Sequence, residues 1–446
     1  MIHIPTLSGS RFFRLLCLIL CFALSQAASA SSPSTENTGD HRTHTIRKGE
    51  TLFRLTQIYH VSAQAICRAN PGLSAENFPI GKEIIIPTPA GLTSSAQAAP
   101  EKPLRVALLL PFGLDNPLPE SSRMLEFYEG FLLALDTLKQ RGYSVHLDVY
   151  DTGGEGTSLK PLLDKPELRQ ADLLIGGYHW GHIKQLSDFS RSHRIKMVLP
   201  FSSNDHFVES NPYLYMANTP QVYLYPSVLE RFELYFADVH VFFLDTEQNK
   251  DDKRQLVSDF KDYFQREKIT YETVAPGTTS TQLARRLKKR KVNLFFPVSG
   301  KKAVLEEWMP TLATLRKDVP NREMQLFGYP EWQTYAGQFV LRFHALDTYI
   351  YSAFYTHPDF PSARRFNEKF RQWFHRNPAP GYPSYSMLGY DLALSFLLPE
   401  GAPEIPALQN GFEFAPLGGN NAGYVNRCVY FIHYSPDMEV IKTALQ

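Results

Sequence analysis

Three short patterns place chemically capable side chains at recognisable spacings. Ser299-Gly300-Lys301-Lys302 fits S-x-x-K, in which a Lys activates a nucleophilic Ser. It follows an apolar run that reads as a strand rather than opening a helix, and neither S-D-N nor K-T-G occurs in the chain. Acyl transfer is therefore not expected there. His179-Trp180-Gly181-His182 could offer two imidazoles, but no Cys or acid stands nearby at metal-ligand spacing, and Gly181 favours a turn. A loop or cleft-lining pair is expected, with no metal and no cofactor. Arg285 to Lys291 carries six positive charges in seven residues. Basic clusters draw polyanions, yet a solvated helix face ahead of the strand at Val292 is the simpler reading. G-x-S-x-G, H-E-x-x-H and the P-loop are absent, so the chain is expected not to be an enzyme.

The elements that would position any site begin with an export pattern. Met1 to Ala30 carries Arg11 and Arg14, a ten-residue apolar core from Leu15 to Leu24, and a cleavage site at Ala28-Ser29-Ala30. These are the three parts of a secretory signal peptide, with a core too short to span a bilayer. Cys17 and Cys21 both follow Leu, where lipidation wants a small residue, so no lipid anchor is expected. A periplasmic or cell-envelope location follows. Residues 31–43 are polar and turn-rich and read as a disordered spacer.

The chain has 446 residues, enough for at least two domains, and a formal charge of +1. Losing the two signal arginines brings the mature chain near −1, which gives no argument for nucleic acid or an anionic membrane as partner. The 31 Phe and 23 Tyr argue for large packed cores. No later stretch is long and apolar enough to cross a bilayer. Cys67 and Cys428 remain after processing and are expected to be free thiols.

Residues 44–87 read as strand, helix, helix, strand. His44 to Arg47 suits a brief strand, broken by Lys48-Gly49. Thr51 caps a helix with Leu52, Leu55, Ile58 and Tyr59 on one face, and Ser62 caps a second with Ala65, Ile66 and Ala69 inward. Asn70-Pro71-Gly72 stops it, and Ile84-Ile85-Ile86 is a β-branched strand closed by Pro87.

This stretch resembles the LysM domain, a βααβ module that binds N-acetylglucosamine-containing glycans, mainly peptidoglycan. The resemblance rests on Ile46, Gly49, Glu50, Thr51, Leu52, Ile58, Tyr59, Val61, Asn70, Pro71, Leu73, Gly81, Ile84, Ile86 and Pro87, with Cys67 and Glu50 as departures from the usual pattern. It implies a shallow sugar groove between two loops, Gly49-Glu50-Thr51-Leu52 and Phe78-Pro79-Ile80-Gly81. Turn backbone would supply the donor and acceptor an acetamido group needs, over an apolar floor.

Thr88 to Lys102 is rich in Ala, Ser, Thr and Pro and reads as a flexible linker. Strand and helix then alternate from Leu104 onward. Strands are expected at Leu104–Leu110, His146–Tyr150, Ala171–Gly176, Met197–Phe201, Val239–Leu244, Thr273–Val274, Val292–Val298 and Met324–Gly328. Helices are expected at Met124–Lys139, Leu162–Leu168, Ile183–Ser192, Lys253–Arg266, Thr281–Lys289, Lys302–Leu315, Phe366–Phe374 and Leu388–Leu398. This is the alternation of doubly wound α/β sheets.

The stretches RVALLLPF, FYEGFLLALDTL, ADLLIGG, KMVLPFSS and LGYDLALSF make residues 103–446 resemble the type I periplasmic-binding-protein fold, two lobes of mostly parallel sheet. FGYPEW and GYVN fit, more narrowly, bacterial envelope proteins that join a LysM to such a domain. The resemblance implies one lobe of about 103–219 plus 343–398 and another of about 220–342 plus 399–446. Ligands of such sheets sit beyond the carboxyl ends of the strands. Cleft candidates are Phe112, Tyr178, His179, Trp180, Ser202, Ser203, Asn204, Asp245, Thr246, Ser299, Tyr329, Glu331 and Trp332, a set that suits a small polar ligand or a sugar. The expected function is a peptidoglycan-anchored binding protein whose bilobed domain takes a small ligand or an envelope protein. The alternatives are a non-catalytic activator of wall-synthesis enzymes and, less in keeping with the motifs, a wall hydrolase.

Overall fold

The computed structural model describes residues 42–47, 55, 59, 66, 67, 69, 70, 72, 73, 77–86, 103–247, 252–419 and 421–444. The expected signal peptide and linker lie outside them. Two compact units are present, one N-terminal and one running from residue 102 to the end apart from 401–404.

In the N-terminal unit, β1 (Arg42–Thr45) pairs antiparallel with β2 (Glu83–Ile86), Arg42 opposite Ile86 and Thr45 opposite Glu83. The first strand thus begins two residues before the expected His44 and takes in Arg42 and Thr43, which the sequence assigned to the spacer. The ladder accounts for the shift, because the partner strand has four residues to satisfy. Leu55, Tyr59, Ile66, Cys67 and Ala69 are helical. Ile46, Leu55, Ile66, Leu73, Ile84 and Ile86 form a small buried core. Asn70 does more than stop a helix. Its amide donates to Ile66 O (2.8 Å) and Ile85 O (2.7 Å) and accepts from Ile85 N (2.8 Å), fastening helix to strand.

The larger unit contains two seven-stranded sheets. The first lobe holds β3 (Leu104–Leu110), β4 (Val145–Asp151), β5 (Leu173–Gly176), β6 (Lys196–Leu199) and β7 (Leu214–Met216). The second holds β8 (Val239–Leu244), β9 (Thr270–Val274), β10 (Val292–Pro297), β11 (Met324–Gly328) and β12 (Thr348–Ser352). The returning chain adds β13 (Phe414–Pro416) and β14 (Tyr424–Asn426) to the first sheet, and β15 (Tyr430–Tyr434) and β16 (Val440–Ala444) to the second. The orders are β4-β3-β5-β6-β7-β14-β13 and β9-β8-β10-β11-β12-β15-β16. Both begin with the same doubly wound 2-1-3-4-5 pattern. The first five strands of each are parallel.

This topology corrects the expected lobe borders. Thr348–Ser352 belongs to the second lobe, since it pairs with β11, and Phe414–Asn426 belongs to the first, since β14 pairs with β7. The chain crosses between lobes after β7, after β12 and after β14. The second lobe is filled by aromatic rings, among them Phe232, Phe242, Phe260, Phe296 and Phe327, the last two stacked at 4.2 Å. The helix expected to reach Lys289 ends at Arg286. The buried Asn293 side chain accepts from Lys288 N and donates to the carbonyls of Lys288, Lys291 and Glu323, turning the chain into β10.

The first lobe is closed by two helices in backbone contact, Ser121–Gln140 and Tyr385–Leu397. A Cβ on Gly130 would lie 1.7 Å from Ser386 O, and one on Gly389 would lie 2.0 Å from Phe127 O. Only glycine fits at either place, because the neighbouring atom is backbone and cannot swing aside. Gly130→Ala or Gly389→Ala should cost about 3 kcal/mol or more, visible as a lowered thermal midpoint. An unchanged midpoint would mean that the helices can separate without penalty.

Candidate functional site

The second loop of the N-terminal unit is a fixed turn. Gly81 N donates to Ile46 O at 2.8 Å, and Lys82 N to Pro79 O at 3.3 Å. Gly81 has φ +86°, the left-handed value that a turn of type II demands at its third position. Phe78 packs inward on the small core, and Pro79 is exposed. Ile80, at the tip, is 66% exposed. The first predicted loop, Gly49-Glu50-Thr51-Leu52, lies outside the described residues.

At the carboxyl ends of the first-lobe strands, Asp151 closes β4 and collects the chain that leaves β3. Its carboxylate accepts from Phe112 N (2.9 Å), Gly113 N (3.2 Å), Leu114 N (2.8 Å) and Gly153 N (2.9 Å). Phe112 is buried, edge-on to Tyr128. After β5, Tyr178 is half-buried with its ring 5.9 Å from Phe201, which stacks on Tyr385. His179 precedes the helix Trp180–His193 and pairs with the buried Glu120 at 2.8 Å. Trp180 is 46% exposed and lies against Phe207 and His206. Ser202 Oγ accepts from Asn204 N, Asn204 Oδ1 accepts from His206 N, and Ser203 is exposed. The first-lobe candidates therefore gather at one rim.

The second-lobe candidates do not form an open site. Thr246, Ser299, Tyr329 and Trp332 are fully buried, which corrects their expected place in a cleft. The turn Pro330–Tyr335 roofs the strand ends, and the polar group of each of these four residues finds an internal partner. Tyr329 donates to Pro297 O, Trp332 Nε1 to Gly300 O at 3.0 Å, and Thr246 Oγ1 to Glu307 at 3.0 Å. Ser299 Oγ accepts from Lys301 N. Asp245 accepts from Thr246 N and, through its carbonyl, from Trp308 Nε1.

Glu331 lies in a network invisible from the sequence. Lys253, only 3% exposed, reaches Glu331 at 2.7 Å and Gln221 at 2.6 Å over the Tyr329 ring, while Gln221 donates to Glu331 and accepts from Tyr351. Lys253 follows two Asp in what reads as a solvated helix start, so nothing local marks it as buried. Gly300 gives the one available signal. A Cβ there would meet Glu331 Oε1 at 2.1 Å.

The motif candidates separate likewise. Lys302 pairs with Glu306, not with the buried Ser299. His179 and His182 do come together, their rings edge to face at 5.4 Å, but each has its own partner: His182 is buried and bonds Thr157 O, and His179 pairs with Glu120. Among the described residues no group of three His, Cys, Asp or Glu is placed to hold a metal. In the basic run, Arg286 and Lys288 turn to Glu272 and Lys291 to Asp238. Cys67 and Cys428 are free thiols.

Residues 44–87 match the LysM domain. The fixed turn from Pro79 to Lys82 is therefore the second loop of a LysM domain, ahead of its last strand. No curated protein matches the chain. Several solved structures are similar at low identity. One is an ABC-type branched-chain amino acid transporter from Rhodopseudomonas palustris (13% identity, 77% of this chain and 96% of that one, TM-score 0.44). Another is the LpoA C-domain from Haemophilus influenzae, a regulator of PBP1A (12% identity, 76% and 100%, TM-score 0.44). A third is LivJ from Streptococcus pneumoniae in complex with isoleucine (13% identity, 77% and 100%, TM-score 0.36). The fold itself rests on the paired strand orders: a stretch that matches the LysM domain is followed by a bilobed α/β domain whose two sheets repeat one doubly wound order.

One titrating cluster sits on the first-lobe helix. Arg376 holds both Glu126 and Glu129, the latter at 2.5 Å. Burial pushes Glu129 up to about 7, with Arg376 opposing and Glu126 adding to the rise. The native state then keeps a proton that the unfolded chain has lost, between the unfolded value of 4.5 and about 7. Stability contributed here falls as pH rises through that window. Glu129→Gln should flatten this fall, with a thermal midpoint above the parent's at pH values above the window and near it at the acid end. Parallel profiles would refute the assignment.

Proposed function

We propose that this protein is an exported, wall-associated binding protein with no catalysis of its own. Its LysM domain holds N-acetylglucosamine-containing peptidoglycan, and its bilobed domain offers a binding face on the first lobe. One observation carries the reading: within the matched LysM domain, an apolar side chain, Ile80, stands 66% exposed on a turn whose backbone is fixed by Gly81. Exposing isoleucine at the tip of a rigid turn gains nothing for folding. It suits the apolar floor of a shallow sugar groove. A single groove of this kind binds weakly, since it buries little area.

The first-lobe rim supports the second half of the reading. Tyr178, Trp180, Phe201 and Tyr385 offer ring faces, while the exposed Ser203 and Asn204 offer polar groups on the same lobe. That chemistry suits a small polar ligand or the surface of an envelope protein.

The test is co-sedimentation of the purified protein with isolated peptidoglycan. The parent chain should pellet with the polymer, and Ile80→Asp, like deletion of residues 44–87, should return it to the supernatant. Retention that survives both changes would overturn the anchor. In a peptidoglycan gel the protein should leave no cleared band, and a cleared band would make it a hydrolase.

A further inference from the structure

The three crossings between the lobes share one strut. Residues 409–413, just before β13, run beside the second crossing: Tyr355 N donates to Gln409 O (2.9 Å), Gly411 N to Ala353 O (3.4 Å), and Phe354 bridges Asn410. On its other side the strut meets Asn426, only 2% exposed. The Asn426 amide donates to Gly411 O (3.0 Å) and to Ala217 O in the first crossing (3.4 Å). Its oxygen accepts from Glu413 N (2.9 Å) and from Cys428 N in the third crossing (3.0 Å). All four hydrogen-bonding positions of one side chain are thus used, and its backbone N–H goes to Thr219 in the first crossing.

The strut is itself held from both lobes. Asp391, buried on the first-lobe helix Tyr385–Leu397, accepts from Leu408 N, Gln409 N and Asn410 N at 2.7 to 2.8 Å. Lys442, on the second-lobe strand β16, donates to Gln409 O at 3.1 Å over the Tyr430 ring. Arg231 of the second lobe pairs with Glu413 at 3.1 Å.

We propose that this strut is a hinge lock that holds the two lobes at one fixed angle, so that the bilobed domain works as a rigid platform rather than as a closing clamp. Hinge closure requires a few residues at the crossings to absorb large changes of φ and ψ. Here the second and third crossings are bonded to the strut, and Asn426, itself bonded to the strut, holds the first. Moving any one of them strands buried polar groups. The inference does not depend on what the domain binds, and it stands whether or not the LysM domain holds peptidoglycan.

The measurement is the distance between the lobes in the full chain. Spin labels on genetically encoded keto amino acids at exposed positions 184, in the first lobe, and 262, in the second, leave Cys67 and Cys428 untouched. Pulsed dipolar spectroscopy should give one narrow distance for the parent. Lys442→Met, which removes one outer bond, should leave the peak in place. Asn426→Ala should broaden it, with near-ultraviolet circular dichroism reporting whether each lobe is still packed. Two populations or a broad distribution in the parent would overturn the lock, whatever the variants do. So would a packed Asn426→Ala protein with the parent's narrow peak.

Discussion

Everything the large domain does with its lobes depends on two helices approaching until their backbones touch. Gly130 and Gly389 allow it, each facing a carbonyl of the other helix. That contact sets the helix Tyr385–Leu397 against the first sheet. The same helix carries Asp391, whose carboxylate gathers three successive backbone N–H groups and so places the segment against which the crossings lie. Burial pushes Asp391 up to about 6 even with those donors around it, a measure of how completely water is excluded. A missing methyl group at two positions thus reaches, through one carboxylate, to the geometry of the hinge.

The two lobes repeat one sheet order but treat their strand ends differently. The first leaves rings and hydroxyls at the surface, with Trp180 the most open of the rings. The second fills the equivalent place with its own ion pair, Lys253 with Glu331, under a roof of Trp332 and Tyr335. Burying a charged pair is worthwhile only when its remaining hydrogen bonds are met. Gln221 meets them, tying the chain that has just left the first lobe. A symmetrical fold therefore carries an asymmetrical surface.

Much of this was legible in the sequence, for reasons that can be named. Continuous apolar runs such as Leu104–Leu110 and Val239–Leu244 are buried on both faces of a parallel sheet, so composition alone marks them. The turn at Gly81 was legible because few residues tolerate its backbone. The late strands were not, although the helices near Phe366 and Leu388 were. Thr348-Tyr-Ile-Tyr-Ser352 and Tyr430-Phe-Ile-His-Tyr434 carry no clear period, and they become strands by pairing with each other, with β11 and with β16. Site residues were misplaced for a related reason. Position after a strand predicts which end of the sheet a residue occupies, but not whether a later segment will cover it, as Pro330–Tyr335 covers Ser299 and Tyr329.

Asp151 has a consequence for recognition at the first-lobe rim. The crevice beside β3 lies where the strand order reverses, and free backbone N–H groups in such a place attract anions. Here four of them already point at a carboxylate from the next strand. The protein has supplied the anion itself. An incoming carboxylate or phosphate would find those donors taken.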